Sequence, residues 1–141
     1  MAKMTLDVVT PNGSIFSDTV DSVIVEGIDG ELGILSDHVP FFTALKISVL
    51  SYTKDGTKDF VAVMGGLLDV NSNKVTILSP VAEKASDIDV LRAKQEKEKA
   101  EEELMRKAAD VDFARAEREI IKTVTRIRAV ELLDKYGVKR R

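Results

Sequence analysis

All three prolines and all but one of the eight glycines lie before Ser86, while every arginine lies after it. A chain so divided cannot be one uniform architecture. Its first part has the breakers of a sheet with tight turns, and its second part has almost none. The regimes meet at Ser86-Asp87-Ile88-Asp89-Val90-Leu91-Arg92-Ala93. This octapeptide reads as a helix start. Ser86 is placed to cap a free amide of the first turn, and Asp89, three residues on, to reach back in a capping box. Asp87 and Asp89 also suit the positive end of a helix dipole. The expected organisation is therefore α+β, with a β-sandwich or flattened barrel over residues 1–85 and an antiparallel two-helix hairpin over 86–141.

The charge follows the same division. Residues 1–85 hold 6 basic and 11 acidic groups, and residues 86–141 hold 15 and 13. So even a balance offers no footprint for nucleic acid. The chain has no cysteine, hence no disulfide framework and no thiolate metal site. No apolar run approaches the ~18 residues of a membrane helix, so no direct membrane insertion is expected.

Strand signals fill the first part. Residues 4–9 alternate, Pro11-Asn12-Gly13 turns the chain, Ile15-Phe16 is a short strand and Val20 to Glu26 a longer one. Lys54-Asp55-Gly56 and Asn71-Ser72-Asn73 are each flanked by β-forming runs and read as hairpin turns. Glycines recur in the segment from Gly27 to Phe42, but it lacks both the Walker ending and the G-x-G-x-x-G spacing, and no helix pattern follows. These glycines, like Gly65-Gly66, are better suited to bulges and bends at sheet edges. His38, the only histidine, has no cysteine or second histidine to complete a metal site. It reads as a surface or interface residue, and Phe41-Phe42 as a contact patch if exposed.

From Arg92 to Ala109 the chain is rich in helix formers, with opposite charges four residues apart and a thin apolar side at Ala93, Ala100, Leu104 and Ala108. Asp110-Val111-Asp112 supplies a break and a cap, and a second helix runs to Tyr136 before Gly137 stops it. At 100° per residue, Ala116, Ile120, Val124, Ile127 and Val130 form an apolar stripe, and Arg115, Arg118, Lys122 and Arg126 a basic one. Isolated helices of this length are marginal in water, so the hairpin must lean on something.

Taken in order, four segments make the chain resemble one family. They are residues 8–13, Gly30-Glu31-Leu32-Gly33-Ile34-Leu35 with His38 and Pro40, residues 65–70, and Ile88-Asp89-Val90-Leu91-Arg92-Ala93. The chain is similar to the epsilon subunit of the bacterial and chloroplast rotary ATP synthase over nearly its whole length. The resemblance implies a non-catalytic coupling subunit of the central stalk, peripheral on the cytoplasmic face of a bacterial membrane. It implies a sandwich attached to the gamma subunit and the c-ring, through a surface to which Glu31, His38, Phe41 and Phe42 are assigned. It also implies a mobile hairpin that blocks ATP hydrolysis when extended toward the alpha and beta subunits. Some members bind ATP as a regulatory ligand at the folded hairpin, without a required metal. The positions implied here are Glu83, Ile88, Asp89, Arg92, Ala93, Arg115 and Arg126, with Lys99 and Lys122 where the tighter binders resemble one another in having arginine. Lysine keeps the charge but loses the bidentate fork that grips phosphate. Glu103 is acidic where a basic residue is usual, and Ser36 stands where the family often has proline.

On this reading the folded hairpin draws Arg92, Arg115 and Arg126 together, and an anion relieves their repulsion. Two other classes are open to such a chain. An enzyme is unsupported by any Walker loop, metal cluster or catalytic triad, and a generic adaptor would pair the same modules without the ATP synthase partners.

Overall fold

The two longest strands carry the architecture. The computed structural model describes residues 3–106 and 112–137. In it, β1 (Met4–Thr10), β2 (Gly13–Val20), β3 (Ser22–Gly27) and β4 (Gly30–Leu35) precede the long β5 (Phe41–Lys54) and β6 (Thr57–Asn71). Then come β7 (Lys74–Leu78), β8 (Ala82–Lys84), a 3₁₀ turn at Ala85–Asp87, and the helices α1 (Val90–Arg106) and α2 (Phe113–Tyr136).

The strands form one sheet in the order β2-β1-β7-β6-β5-β3-β4, with β8 paired to β6. That sheet folds over itself because β5 and β6 serve both layers. Phe41 to Leu45 of β5 pair with Gly66 to Val70 of β6, which continues through β7 and β1 to β2. Ile47 to Lys54 pair with Thr57 to Met64, flanked by β3 and β4 on one side and β8 on the other. The bend in β6 falls at Gly65-Gly66, with φ of +77° and +125°. A side chain at Gly66 would overlap the Leu78 carbonyl, so only glycine serves there.

Period-two alternation sorts the side chains. Leu50, Tyr52, Val61 and Val63 point between the layers and join Leu6, Val8, Val23, Ile34, Leu68, Val75 and Ile77 in the main core. Tyr52 stacks on Phe16 and donates its hydroxyl to Asp59 at 3.0 Å. Burial, with the Asp59 charge adding to it, pushes its phenol well above the ordinary range. Phe60, Ala62 and Met64 alternate outward and form a second, smaller cluster with Ala85, Ala129 and Leu133. This cluster is where the hairpin rests on the sheet.

The sandwich and hairpin stand as expected, with local corrections. Val20 to Glu26 is cut at Asp21 into the ends of two strands, and the Gly27–Phe42 segment contains a regular strand, β4, behind a tight turn. The capping box at Ser86 does not form. Ser86 lies in the 3₁₀ turn, and Asp89 itself caps α1, its Oδ1 accepting the Arg92 amide at 3.1 Å. Asp112 caps α2 in the same way, accepting the Arg115 amide at 3.0 Å. Of the stripe expected on α2, Ala116 is buried and Ile120, Ile127 and Val130 are half-buried, but Val124 is exposed. Thr123 and Thr125 are buried in addition, because their hydroxyls bond back to the carbonyls of Ile120 (3.0 Å) and Ile121 (2.7 Å). Residues 107–111, which hold the expected end of the first helix, Ala108 of its apolar side and the start of the expected break, lie outside the described residues.

Candidate functional site

The helices run antiparallel, since Arg115 near the start of α2 lies 4.0 Å from Glu103 near the end of α1. Ala93 and Ala100 on α1 and Ala116 and Thr123 on α2 are buried in or beside their seam. Small residues there bring the axes close. At the capped end of α1 the seam opens into a groove of about 240 Å³, bounded by β8, the 3₁₀ turn, α1 and α2.

Six of its eight lining side chains are charged: Glu83, Asp87, Asp89, Arg92, Glu96 and Arg126, with Ile88 and Ala93 as its apolar part. Arg126 is the hub. Its Nε donates to Glu83 Oε1 at 2.7 Å, and its Nη1 lies 4.0 Å from Glu96 Oε2. Glu96 turns its other oxygen to Arg92, whose Nε donates to Oε1 at 3.0 Å. The side chain of Arg126 is 19% exposed and that of Arg92 is 76% exposed, so one cation is largely enclosed and the other lies mostly in solvent.

Glu83, Ile88, Asp89, Arg92, Ala93 and Arg126 are thus gathered from β8, α1, α2 and the connection that leads into α1. Ile88 packs on the smaller apolar cluster, and Ala93 keeps the helices close. Lys99, Arg115 and Lys122 are not gathered. Lys99 lies about 10 Å along the axis from Arg92, seven residues at the helical rise, and shares a depression with Glu102, Met105 and Arg106. Arg115 is about 16 Å along α2 from Arg126 by the same rise, near Glu103. Lys122 is one turn away and faces Glu119 at 3.7 Å. Asp87 and Glu96 join the groove unannounced. Glu96 sits four residues from Arg92, a spacing that does signal an ion pair.

The expected crowding of unpaired cations is absent. Four carboxylates meet two guanidinium groups in the groove, and each arginine already has a partner. The acid comes from β8, the 3₁₀ turn, the cap of α1 and α1 itself, which the arrangement of basic residues alone does not reveal.

Glu31 lines a second groove, of about 300 Å³, between the outer sheet face and Arg128 and Leu132 of α2. Phe41 and Phe42 line a shallow depression with Pro40, Asp69, Val70 and Asn71. Phe42 is 62% exposed, and Leu35 and Val39 nearby in sequence are 65% and 70% exposed. His38 is half-buried, its ring 6.3 Å from that of Phe41. Among the described residues no helix is long and apolar enough to cross a membrane.

Two family models match end to end: the ATP synthase delta/epsilon chain beta-sandwich domain over residues 3–85, and its long alpha-helix domain over residues 86–131. The chain is 44% identical to an ATP synthase epsilon chain of Desulforamulus reducens, over 89% of this chain and 96% of that protein. It is 41% identical to one of Symbiobacterium thermophilum, over 95% and 97%. In fold it is similar to a chain of the Euglena gracilis mitochondrial ATP synthase, with a TM-score of 0.67 at 21% identity, covering 96% of this chain and 81% of that one. With both models matched in sequence and relatives aligned over nearly their full length, the chain belongs to the delta/epsilon family of the ATP synthases, among its epsilon chains.

Proposed function

We propose that this chain is a non-catalytic central-stalk subunit of a proton-translocating ATP synthase, regulating ATP hydrolysis through its hairpin. Residues 1–85 attach it to the gamma subunit and the c-ring at the cytoplasmic face of a bacterial membrane. Residues 86–141 leave the sandwich to meet the alpha and beta subunits, and ATP bound in the groove holds them down. Glu31, His38, Phe41 and Phe42 belong to the attaching surface on this reading.

The observation that carries it is the charged groove at the place where sheet, 3₁₀ turn and both helices converge. A ligand there touches the hairpin and the sandwich together, so it favours the docked state by its whole differential affinity. The rest of the docking face is modest, chiefly Ala129 and Leu133 on Phe60, Ala62 and Met64. At about 240 Å³ the groove is smaller than the usual range for an enclosed ligand site. Part of a nucleotide is enclosed, and its phosphates reach out along Arg92 and Arg126. Glu83 and Asp89 supply acceptors for base or ribose, without metal.

Calorimetry of the full chain with ATP and ADP, beside Arg92→Ala and Arg126→Ala, tests the ligand. Heat with ATP that falls in both variants is expected, and no heat at millimolar ATP would overturn it. A hydrolysis assay of the assembled complex, with and without residues from Ser86 onward, tests the regulation. Removal should raise ATP hydrolysis; unchanged hydrolysis would leave the chain a coupling subunit only.

A further inference from the structure

Glu96 does with its carboxylate what a phosphate would do in the same place. One oxygen accepts from Arg92 Nε at 3.0 Å, and the other lies 4.0 Å from Arg126 Nη1. A single anionic group therefore lies between an exposed guanidinium and a largely enclosed one. Arg126 is held in place at a different nitrogen, its Nε donating to Glu83 at 2.7 Å. The phosphate seat of the groove is already taken by the protein itself.

We propose that Glu96 is the affinity-determining residue of this groove, an internal anion that nucleotide phosphate must displace. The proposal rests on the nucleotide reading above. Displacement has two parts of unequal weight. Breaking the Arg92–Glu96 contact is the smaller, since a pair four residues apart on an exposed helix face is weak. The larger part persists after the contact breaks. Glu96 is tethered to α1, so its charge stays within a side chain's length of the incoming polyanion, where like charges repel strongly. Asp87 and Asp89 on the same rim add to that field. The groove thus discriminates against phosphate until concentration overcomes the internal competitor, and the tether keeps the competitor from being diluted.

Removing the charge tests this in the full chain. Glu96→Gln keeps the shape of a side chain that is 42% exposed, and Glu96→Ala removes it, so neither disturbs the core; ligand-free melting confirms that each folds. Wild type and both variants are titrated by calorimetry with ATP, inorganic tripolyphosphate and adenosine. The expected result is at least tenfold tighter binding of ATP and of tripolyphosphate in both variants, which is ~1.4 kcal/mol, with adenosine unchanged. If wild type binds ATP and the variants bind it no more tightly, the proposal is wrong and the nucleotide reading stands. If adenosine gains by the same factor, the substitutions have merely loosened the groove, and the proposal is wrong. If tripolyphosphate binds and gains while ATP binds none of the proteins, the nucleotide reading falls and Glu96 remains the occupant of an anion seat. If neither polyanion binds any of them, both fall.

Discussion

Arg126 of α2 and Glu83 of β8 are 43 residues apart in the chain and 2.7 Å apart in the fold. Among the described residues theirs is the side-chain hydrogen bond that ties the second helix to the sandwich, and it is half-buried on both sides. Either Arg126→Ala or Glu83→Gln should weaken docking by about 1.5–3 kcal/mol, the range for a hydrogen bond to a charged group. Limited proteolysis and amide exchange should quicken across α1 and α2 and stay unchanged in β1 and β7. Uniform loss of protection would show that hairpin and sheet unfold together.

The start of α1 separates two aspartate–serine readings by experiment. Asp89→Ala removes the cap that accepts the Arg92 amide and should cost about 1 kcal/mol. Ser86→Ala removes no cap and should stay within about 0.5 kcal/mol. Thermal unfolding followed by circular dichroism distinguishes the pair, and equal effects would restore Ser86 as a capping residue.

Gly66→Ala should be among the most damaging single-methyl additions in the sheet. It combines φ of +125° with overlap on the Leu78 carbonyl, so a loss of at least about 2 kcal/mol is expected in denaturant unfolding. A loss under about 0.5 kcal/mol would mean that β6 reroutes its bend.

Tyr52 gives the fold an alkaline signature. Its phenol is raised by burial and by Asp59, so its contribution is fully present below the ordinary tyrosine pKa and is lost as pH climbs beyond it. Tyr52→Phe should cost about 1 kcal/mol near neutral pH, for the bond to Asp59. That gap should close as pH rises above about 10. Urea unfolding of both proteins across this range checks the sign; a gap constant with pH would refute the coupling.

Phe42, at 62% exposure, contributes little to the core. On the proposed function, Phe42→Ala should leave unfolding within about 0.5 kcal/mol and weaken assembly with gamma and the c-ring at least tenfold. Reconstitution from purified subunits measures this, and unimpaired assembly would move the attaching surface elsewhere.

What was legible in the chain was whatever local chemistry decides. Lys54-Asp55-Gly56 and Asn71-Ser72-Asn73 lie at the β5–β6 and β6–β7 turns because their backbones favour positive φ, and Asp55, Ser72 and Asn73 do adopt it. What was not legible depends on distant partners. Thr123 and Thr125 look like surface residues until the helix carbonyls satisfy their hydroxyls. Asp87 and Glu96 look like solvated helix charge until the fold sets Glu83 of β8 and Arg126 of α2 beside them in one groove. The motif at residues 88–93 supplies half of the groove's lining residues, while Lys99, Arg115 and Lys122 share its helix lines but not its height along them. Angular position is readable from sequence, and axial distance to a folded partner is not.

Because β5 and β6 each pass through both layers and stay paired along their length, the two layers are joined by continuous strand as well as by loops. Phe42 and Val49 lie on one continuous strand, and Asp69 and Phe60 on its partner. On the proposed function, a load taken up at the exposed end of these strands reaches the face on which the hairpin rests through covalent backbone.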